Sequence, residues 1–208
     1  MQNQKSKIKN QKSGGVTLIE LVVVLAIFMI VMVITVSIFI SMAERQKNIL
    51  EEQEILNQTS YVAEYMSRTI RTAKIDEVGK CLSNNFIGYN YLLTHYNLSE
   101  GFYQGIEFIS GDDVCLEFFL DSDGVLKEVK NKNTPQSILS SKFTIKYLRF
   151  IINGDKTLQG TSKNDLVQPR ITMILDIITQ ETGGQKERIF QTTVSQRNLN
   201  IENSPTIK

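Results

Sequence analysis

Residues 16–40 form an apolar run of about 25 residues, with no proline, no glycine and one charge, Glu20, near its start. At about 1.5 Å rise per residue, such a run crosses the ~30 Å hydrocarbon core of a bilayer as one helix. A chain of 208 residues has room for one modest globular domain beside it. A helix apolar on every side has no stable place on the surface of so small a domain, so the run predicts a membrane segment. Glu20 is the exception inside it. A carboxylate near the bilayer centre costs roughly 2.5–3.5 kcal/mol on insertion scales, and less near an interface. Either Glu20 sits close enough to the cytoplasmic headgroups to stay wet or protonated, or it is kept for a partner charge supplied within an assembly.

Charge orients the segment. Lys5, Lys7, Lys9 and Lys12 lie in a polar leader that ends in Gly14-Gly15. The whole chain carries +1, so loss of residues 1–15 would leave a side-chain charge of −3. Lysines before the run and Glu44, Glu51, Glu52 and Glu54 after it fit the positive-inside rule, with the leader cytoplasmic and the rest translocated. Near-neutral charge elsewhere offers no nucleic-acid patch.

Gly15-Val16-Thr17-Leu18-Ile19-Glu20, in register with the apolar run, closely resembles the processing site of type IV prepilins and type II secretion pseudopilins. The resemblance implies that a prepilin peptidase cuts between Gly15 and Val16 and that the new Val16 amine is N-methylated. It also implies that Glu20, the fifth mature residue, pairs with the N-terminal amine of a neighbouring subunit as a filament grows. The partners it implies are the peptidase, other pilin or pseudopilin subunits, an inner-membrane assembly platform and membrane lipid. Val16 stands where Phe or Met is more usual, and Ser37 stands where major pilins carry a helix-distorting proline. There is no proline before Pro135, which leans toward a minor pilin or pseudopilin. An ordinary secretory signal has an apolar core of roughly 7–15 residues with its cut after it. Here the core is longer and the implied cut precedes it, so the helix stays with the mature protein.

The expected fold is α+β and type IV pilin-like, with one long N-terminal helix packed on a C-terminal antiparallel β domain. Residues 1–15 are the leader, 16–40 the transmembrane half of the helix, 41–76 its amphipathic half and 77–208 the extracytoplasmic β domain. Residues 41–74 lack proline and glycine and are rich in helix formers. Met42, Ile49, Leu56, Ala63 and Ile70 recur every seventh residue, with Ile55, Val62, Met66 and Thr69 beside them, which predicts one apolar stripe. Tyr61, Tyr65 and Thr69 make a poor heptad for a free coiled coil, so the stripe is expected to pack on the chain's own domain.

Beyond Lys74 strands dominate. Short or alternating apolar runs predict strands over 105–109, 113–120, 125–130, 143–152, 170–179 and 187–196. Asp121-Ser122-Asp123-Gly124 is a hairpin signal, and Gly183-Gly184 is expected to turn the last two strands into a closing hairpin. Residues 81–104 have no clear pattern, and residues 156–169 read as a polar loop ended by Pro169. In outline this half resembles the J-type minor pseudopilins, through its late pair of long strands and the closing Thr193-Val194-Ser195-Gln196-Arg197-Asn198.

No catalytic set is apparent. His95 is the sole histidine, has no nucleophile signature near it and reads as a partly exposed structural residue. The Asp121 loop is not an EF-hand, since Leu126 and Lys132 occupy the places of its glycine and last glutamate; a turn is the favoured reading, a surface calcium site the other. Cys81 and Cys115 lie on the translocated side, where a disulfide is the default and buried free thiols the alternative. Neither has CxxC spacing, so no zinc site and no cofactor are expected. The aromatic stretch Tyr89, Tyr91, Tyr96, Phe102 and Tyr103 reads as core in preference to partner contacts. The expected role is structural, not enzymatic. The alternative is a single-pass, signal-anchored binding or adhesion protein that never assembles.

Overall fold

The structure is a computed structural model that describes residues 14–82, 86–154, 168–179 and 187–197. It divides into two compact units, Met1–Leu50 and Glu51–Lys208. The elements run in the order α1 (Leu18–Arg71), β1 (Tyr91–Asn97), β2 (Phe102–Ile109), β3 (Cys115–Leu120), β4 (Leu126–Lys130), β5 (Gln136–Ser137), β6 (Phe143–Asn153), β7 (Arg170–Thr179) and β8 (Glu187–Ser195). The fold is α+β: one long N-terminal helix and antiparallel sheets.

The described part of the first unit is Gly14 to Thr17 in extended chain followed by α1. Every residue from Gly14 to Leu50 is exposed. The Thr35 and Ser37 hydroxyls donate back to the Val31 and Val33 carbonyls at 2.7 and 2.9 Å, so neither needs a partner outside the helix. Ser37, where a proline would have broken the ladder, leaves the helix unbroken.

In the second unit the helix buries Ile55, Thr59, Val62, Ala63, Met66 and Ile70. Residues spaced by three and four put these on one face. The expected heptad series only partly matches it, because Leu56, Ile49 and Met42 are exposed. A strict seven-residue repeat on a straight helix drifts by about 20° per heptad, so the series slides off the buried face going back from Ile70. The helix also ends at Arg71, short of the expected residue 76. Thr72 and Ala73 make short i→i+3 bonds to the Thr69 and Ile70 carbonyls, which tightens the last turn. Lys74 N–H then donates to the Ile109 carbonyl at 2.9 Å, pulling the chain out of the helix into an isolated bridge. A tertiary bond overrides the helix propensity of this stretch.

Two antiparallel sheets complete the unit, one in the order β1-β2-β3-β4-β5 and one in the order β6-β7-β8. The Asp121–Gly124 segment closes the β3–β4 hairpin, with Gly124 at φ 73°, a conformation that favours glycine. A Cβ at Gly124 would also press on Thr144 and on the Ile145 carbonyl oxygen, 3.0 Å away. Strand β7 alternates as expected, with Ile171, Met173, Leu175 and Ile177 buried. It pairs with β8 in the expected hairpin, whose turn at Gly183-Gly184 lies outside the described residues, as does most of the loop over 156–169. Strand β1 lies within the patternless stretch. Its period is broken at His95, whose φ is 53°, so no strict alternation announces it. The aromatics divide accordingly, with Tyr91 and Phe102 buried and Tyr96 and Tyr103 exposed.

Candidate functional site

Thr17 and Glu20 build the start of α1. Leu21 N–H donates to the Thr17 carbonyl at 3.2 Å, the first bond of the helix. The Thr17 hydroxyl accepts from Glu20 N–H at 3.4 Å. Thr17 is therefore the N-cap and Glu20 the third helical residue, the Thr-x-x-Glu spacing of a capping box. The spacing was present in the sequence; the bond seen is the Thr17 half of the box, made to the Glu20 backbone. A carboxylate in the first turn also meets the positive end of the helix dipole, which offsets part of its cost in an apolar run.

Gly15 and Val16 lie just before this cap, both exposed. A Cβ added to Gly14 or Gly15 would meet nothing within 4 Å, and neither has a positive φ. Nothing in the described chain needs glycine there. The helix that follows is long and apolar enough to cross a membrane, and its apolar N-terminal part is exposed throughout.

Residues 10–36 match the family model described as the prokaryotic N-terminal methylation motif. No curated protein and no solved structure matches the chain. The match covers this N-terminal stretch alone, and the motif is of the kind found in proteins processed by a prepilin peptidase and assembled with pilin subunits. Together with the apolar helix, it describes a membrane-anchored protein of the cell envelope.

The second unit carries the remaining chemistry. Cys81 and Cys115 form a disulfide with Cα atoms 5.5 Å apart, closing a loop of sequence separation 34. The bridge ties the segment after α1 to the start of β3. That segment is shaped by Asp76, 1% exposed, whose carboxylate accepts from the N–H groups of Lys80, Cys81 and Leu82 at 3.0, 2.9 and 2.8 Å. Burial alone would raise the Asp76 carboxyl, but the backbone donors at Leu82, Cys81 and Lys80 outweigh it and hold it below the usual range. Asp76→Ala would leave these donors without an acceptor and is expected to cost about 2–3 kcal/mol, read by urea unfolding. A loss below about 0.5 kcal/mol would mean that water replaces the carboxylate freely.

Glu107 on β2 lies beside the disulfide and directly opposite Glu117 on β3. Burial, then the charge of Glu117, push its carboxyl up to about 6 against the opposing pull of Lys132. Asp176, buried on β7, is likewise pushed up to about 6, first by burial and then by its hydrogen bond to Glu187, while its Oδ1 has no hydrogen-bond partner among the described residues. Both acids hold protons in the fold that they would release unfolded, where they titrate near 4.5 and 3.8. Their contribution is therefore complete below about pH 4 and lost as pH rises through about 6. The unfolding midpoint is expected to fall between those values. Glu107→Gln and Asp176→Asn should each flatten the slope, and an unchanged slope in the double variant would refute the assignment.

His95 Nε2 lies 3.2 Å from Glu117 Oε1, and its ring stacks on Phe119 with centroids 4.2 Å apart. A Cβ at Gly105 would collide with Thr94 and His95, so this packing requires glycine across the strand. The Asp121 carboxylate is bound by Ser122 N–H at 2.8 Å and by the Lys127 ammonium. These contacts hold it below the usual carboxylate range, the lysine first. A lysine thus supplies the cation at this turn. Sequence reasoning missed Glu107, because only the β2–β3 register brings it to the sulfurs.

Proposed function

We propose that this chain is a structural minor pilin or pseudopilin subunit, cut between Gly15 and Val16, N-methylated on Val16 and built into a type IV pilus or type II secretion pseudopilus. The observation that carries the reading is the register of Gly15-Val16-Thr17-Leu18-Ile19-Glu20 at the head of an apolar run that stays exposed throughout, the chain burying no residue of α1 before Leu50. A glycine that nothing in the described chain requires supports recognition from outside, by the peptidase. The leader lysines support a cytoplasmic N-terminus, and the Cys81–Cys115 disulfide supports an oxidising compartment for the second unit. Ser37 in place of a proline favours a minor subunit.

In this reading the apolar half of α1 first stores the subunit in lipid, then packs on sister helices in the filament. Its partners are the peptidase, those sister subunits and an inner-membrane assembly platform. The work is structural, with no catalytic step of its own.

Intact mass and N-terminal sequencing of membrane-extracted protein, expressed with and without a prepilin peptidase, test this. Loss of residues 1–15 and a methyl group on the Val16 nitrogen, both only with the peptidase, are expected. An intact Met1 under both conditions would overturn the reading and favour a signal-anchored binding protein.

A further inference from the structure

Cys81, Cys115 and Glu107 hold two sulfurs and a carboxylate oxygen within 4.8 Å of one another. Glu107 Oε1 lies 3.7 Å from Cys81 Sγ and 3.4 Å from Cys115 Sγ. A tetrahedral zinc ion, at about 2.3 Å from thiolates and about 2.0–2.2 Å from a carboxylate, sets sulfur–oxygen edges of about 3.5 Å and sulfur–sulfur edges of about 3.8 Å. Both sulfur–oxygen edges already have that length. The sulfur–sulfur edge is closed by the disulfide bond, and two sulfurs no longer bonded part to about van der Waals contact, close to the missing edge.

We propose that reduction of the Cys81–Cys115 disulfide converts it into a Zn2+ site, with both thiolates and the Glu107 carboxylate as protein ligands and water as the fourth. Two thiolates with one carboxylate suit zinc better than calcium or magnesium, which take oxygen ligands. The backbone holds the ligands without the covalent bond. Asp76 fixes the Cys81 segment through three N–H groups. Cys115 is paired with Ile109 and receives Asn131 N–H on its carbonyl at 2.7 Å, while its own N–H donates to Asn131 Oδ1 at 3.0 Å. Glu107 sits in the same β2–β3 ladder. Glu117 and Asp76 add negative charge around Glu107, opposed by Lys132, and a divalent cation would relieve that field.

The conversion needs an external dithiol. One of its thiolates attacks Cys115 Sγ, on the less buried of the two residues, and the bond's electron pair leaves on Cys81. The second thiol of the reductant then displaces Cys115, so the reductant becomes a disulfide and the protein gains two thiols. Zinc takes both as thiolates and two protons go to solvent. The segment after α1 stays stapled to β3 in either state, by a covalent bond or by a metal.

The test uses the full chain in detergent, reduced and freed of reductant under anaerobic conditions, then titrated with Zn2+ against a chromophoric chelator and with Co2+ as a spectroscopic probe. One metal per reduced chain is expected, with thiolate-to-cobalt charge transfer. Glu107→Gln should bind about tenfold more weakly or worse. Zinc should raise the unfolding midpoint of the reduced chain and leave that of the oxidised chain unchanged. The proposal is overturned if the reduced chain binds no zinc, if Glu107→Gln binds as tightly, or if Cys81→Ser with Cys115→Ser binds as tightly. Should the reduced, metal-free chain lose its fold by circular dichroism, recovery of the native spectrum on adding zinc supports the site. Failure to recover overturns it.

Discussion

Phe118→Ala is expected to lower the stability of the second unit by about 3–5 kcal/mol, the range for removing a fully enclosed aromatic side chain. Phe118 has no exposed surface. Its ring meets Tyr65 of α1 edge-on with centroids 5.9 Å apart and Phe108 of β2 at 6.0 Å, so one side chain joins the helix to two strands. Tyr65 in turn donates its hydroxyl to Glu128 on β4 at 2.5 Å. The Tyr65 hydroxyl is held protonated above its usual range, first by burial and then by that hydrogen bond. Loss of the ring leaves a cavity beside this bond, and the neighbours, held by the β2–β3–β4 ladder, cannot collapse into it. The chain has no tryptophan, so near-UV circular dichroism of its tyrosines is the natural probe in a urea titration. Ile189, 71% exposed on β8, is the control. Ile189→Ala should change stability by less than about 0.5 kcal/mol. Equal losses from the two variants would place the core elsewhere.

The contrast between Phe118 and Ile189 also shows where sequence pattern reaches and where it stops. Strand β7 could be read because its apolar residues Ile171, Met173, Leu175 and Ile177 alternate between two turn signals, although the buried Asp176 interrupts the burial pattern. On β8 the same alternation identifies a strand, but which face is covered depends on the layer against it, and Ile189 falls on the open side. Strand β1 escaped notice for a local reason: His95 in the left-handed region breaks the two-residue period just where the strand needed it. The helix end escaped for a distant one, since the partner of Lys74 N–H is Ile109, far along the chain. The N-terminal motif is the opposite case. Its residues are contiguous, so the cap, the charge and the proposed processing site can all be read in one short string. The cluster of Glu107 with Cys81 and Cys115 is assembled by strand register from three separate stretches, and no local pattern announces it.

Glu20 is where the two kinds of information meet, and two substitutions separate its roles. Glu20→Ala is expected to leave membrane insertion intact or improved, since it removes a charge that costs roughly 2.5–3.5 kcal/mol at the bilayer centre. It should also leave the second unit folded, because Glu20 is exposed and lies in the other unit. Incorporation into assembled filaments is expected to fall about tenfold or more, the equivalent of about 1.4 kcal/mol per subunit added. That result alone would not tell a lost charge from a lost cap. Glu20→Gln does, because glutamine serves a capping box as well as glutamate does while carrying no charge to offer a neighbour's amine. If the charge is what assembly uses, both variants incorporate poorly although α1 begins normally in Glu20→Gln. If Glu20→Gln incorporates like the parent while Glu20→Ala does not, the cap is the function of this side chain. Equal incorporation of all three would remove Glu20 from assembly altogether and leave it as a carboxylate that the first turn of the helix tolerates.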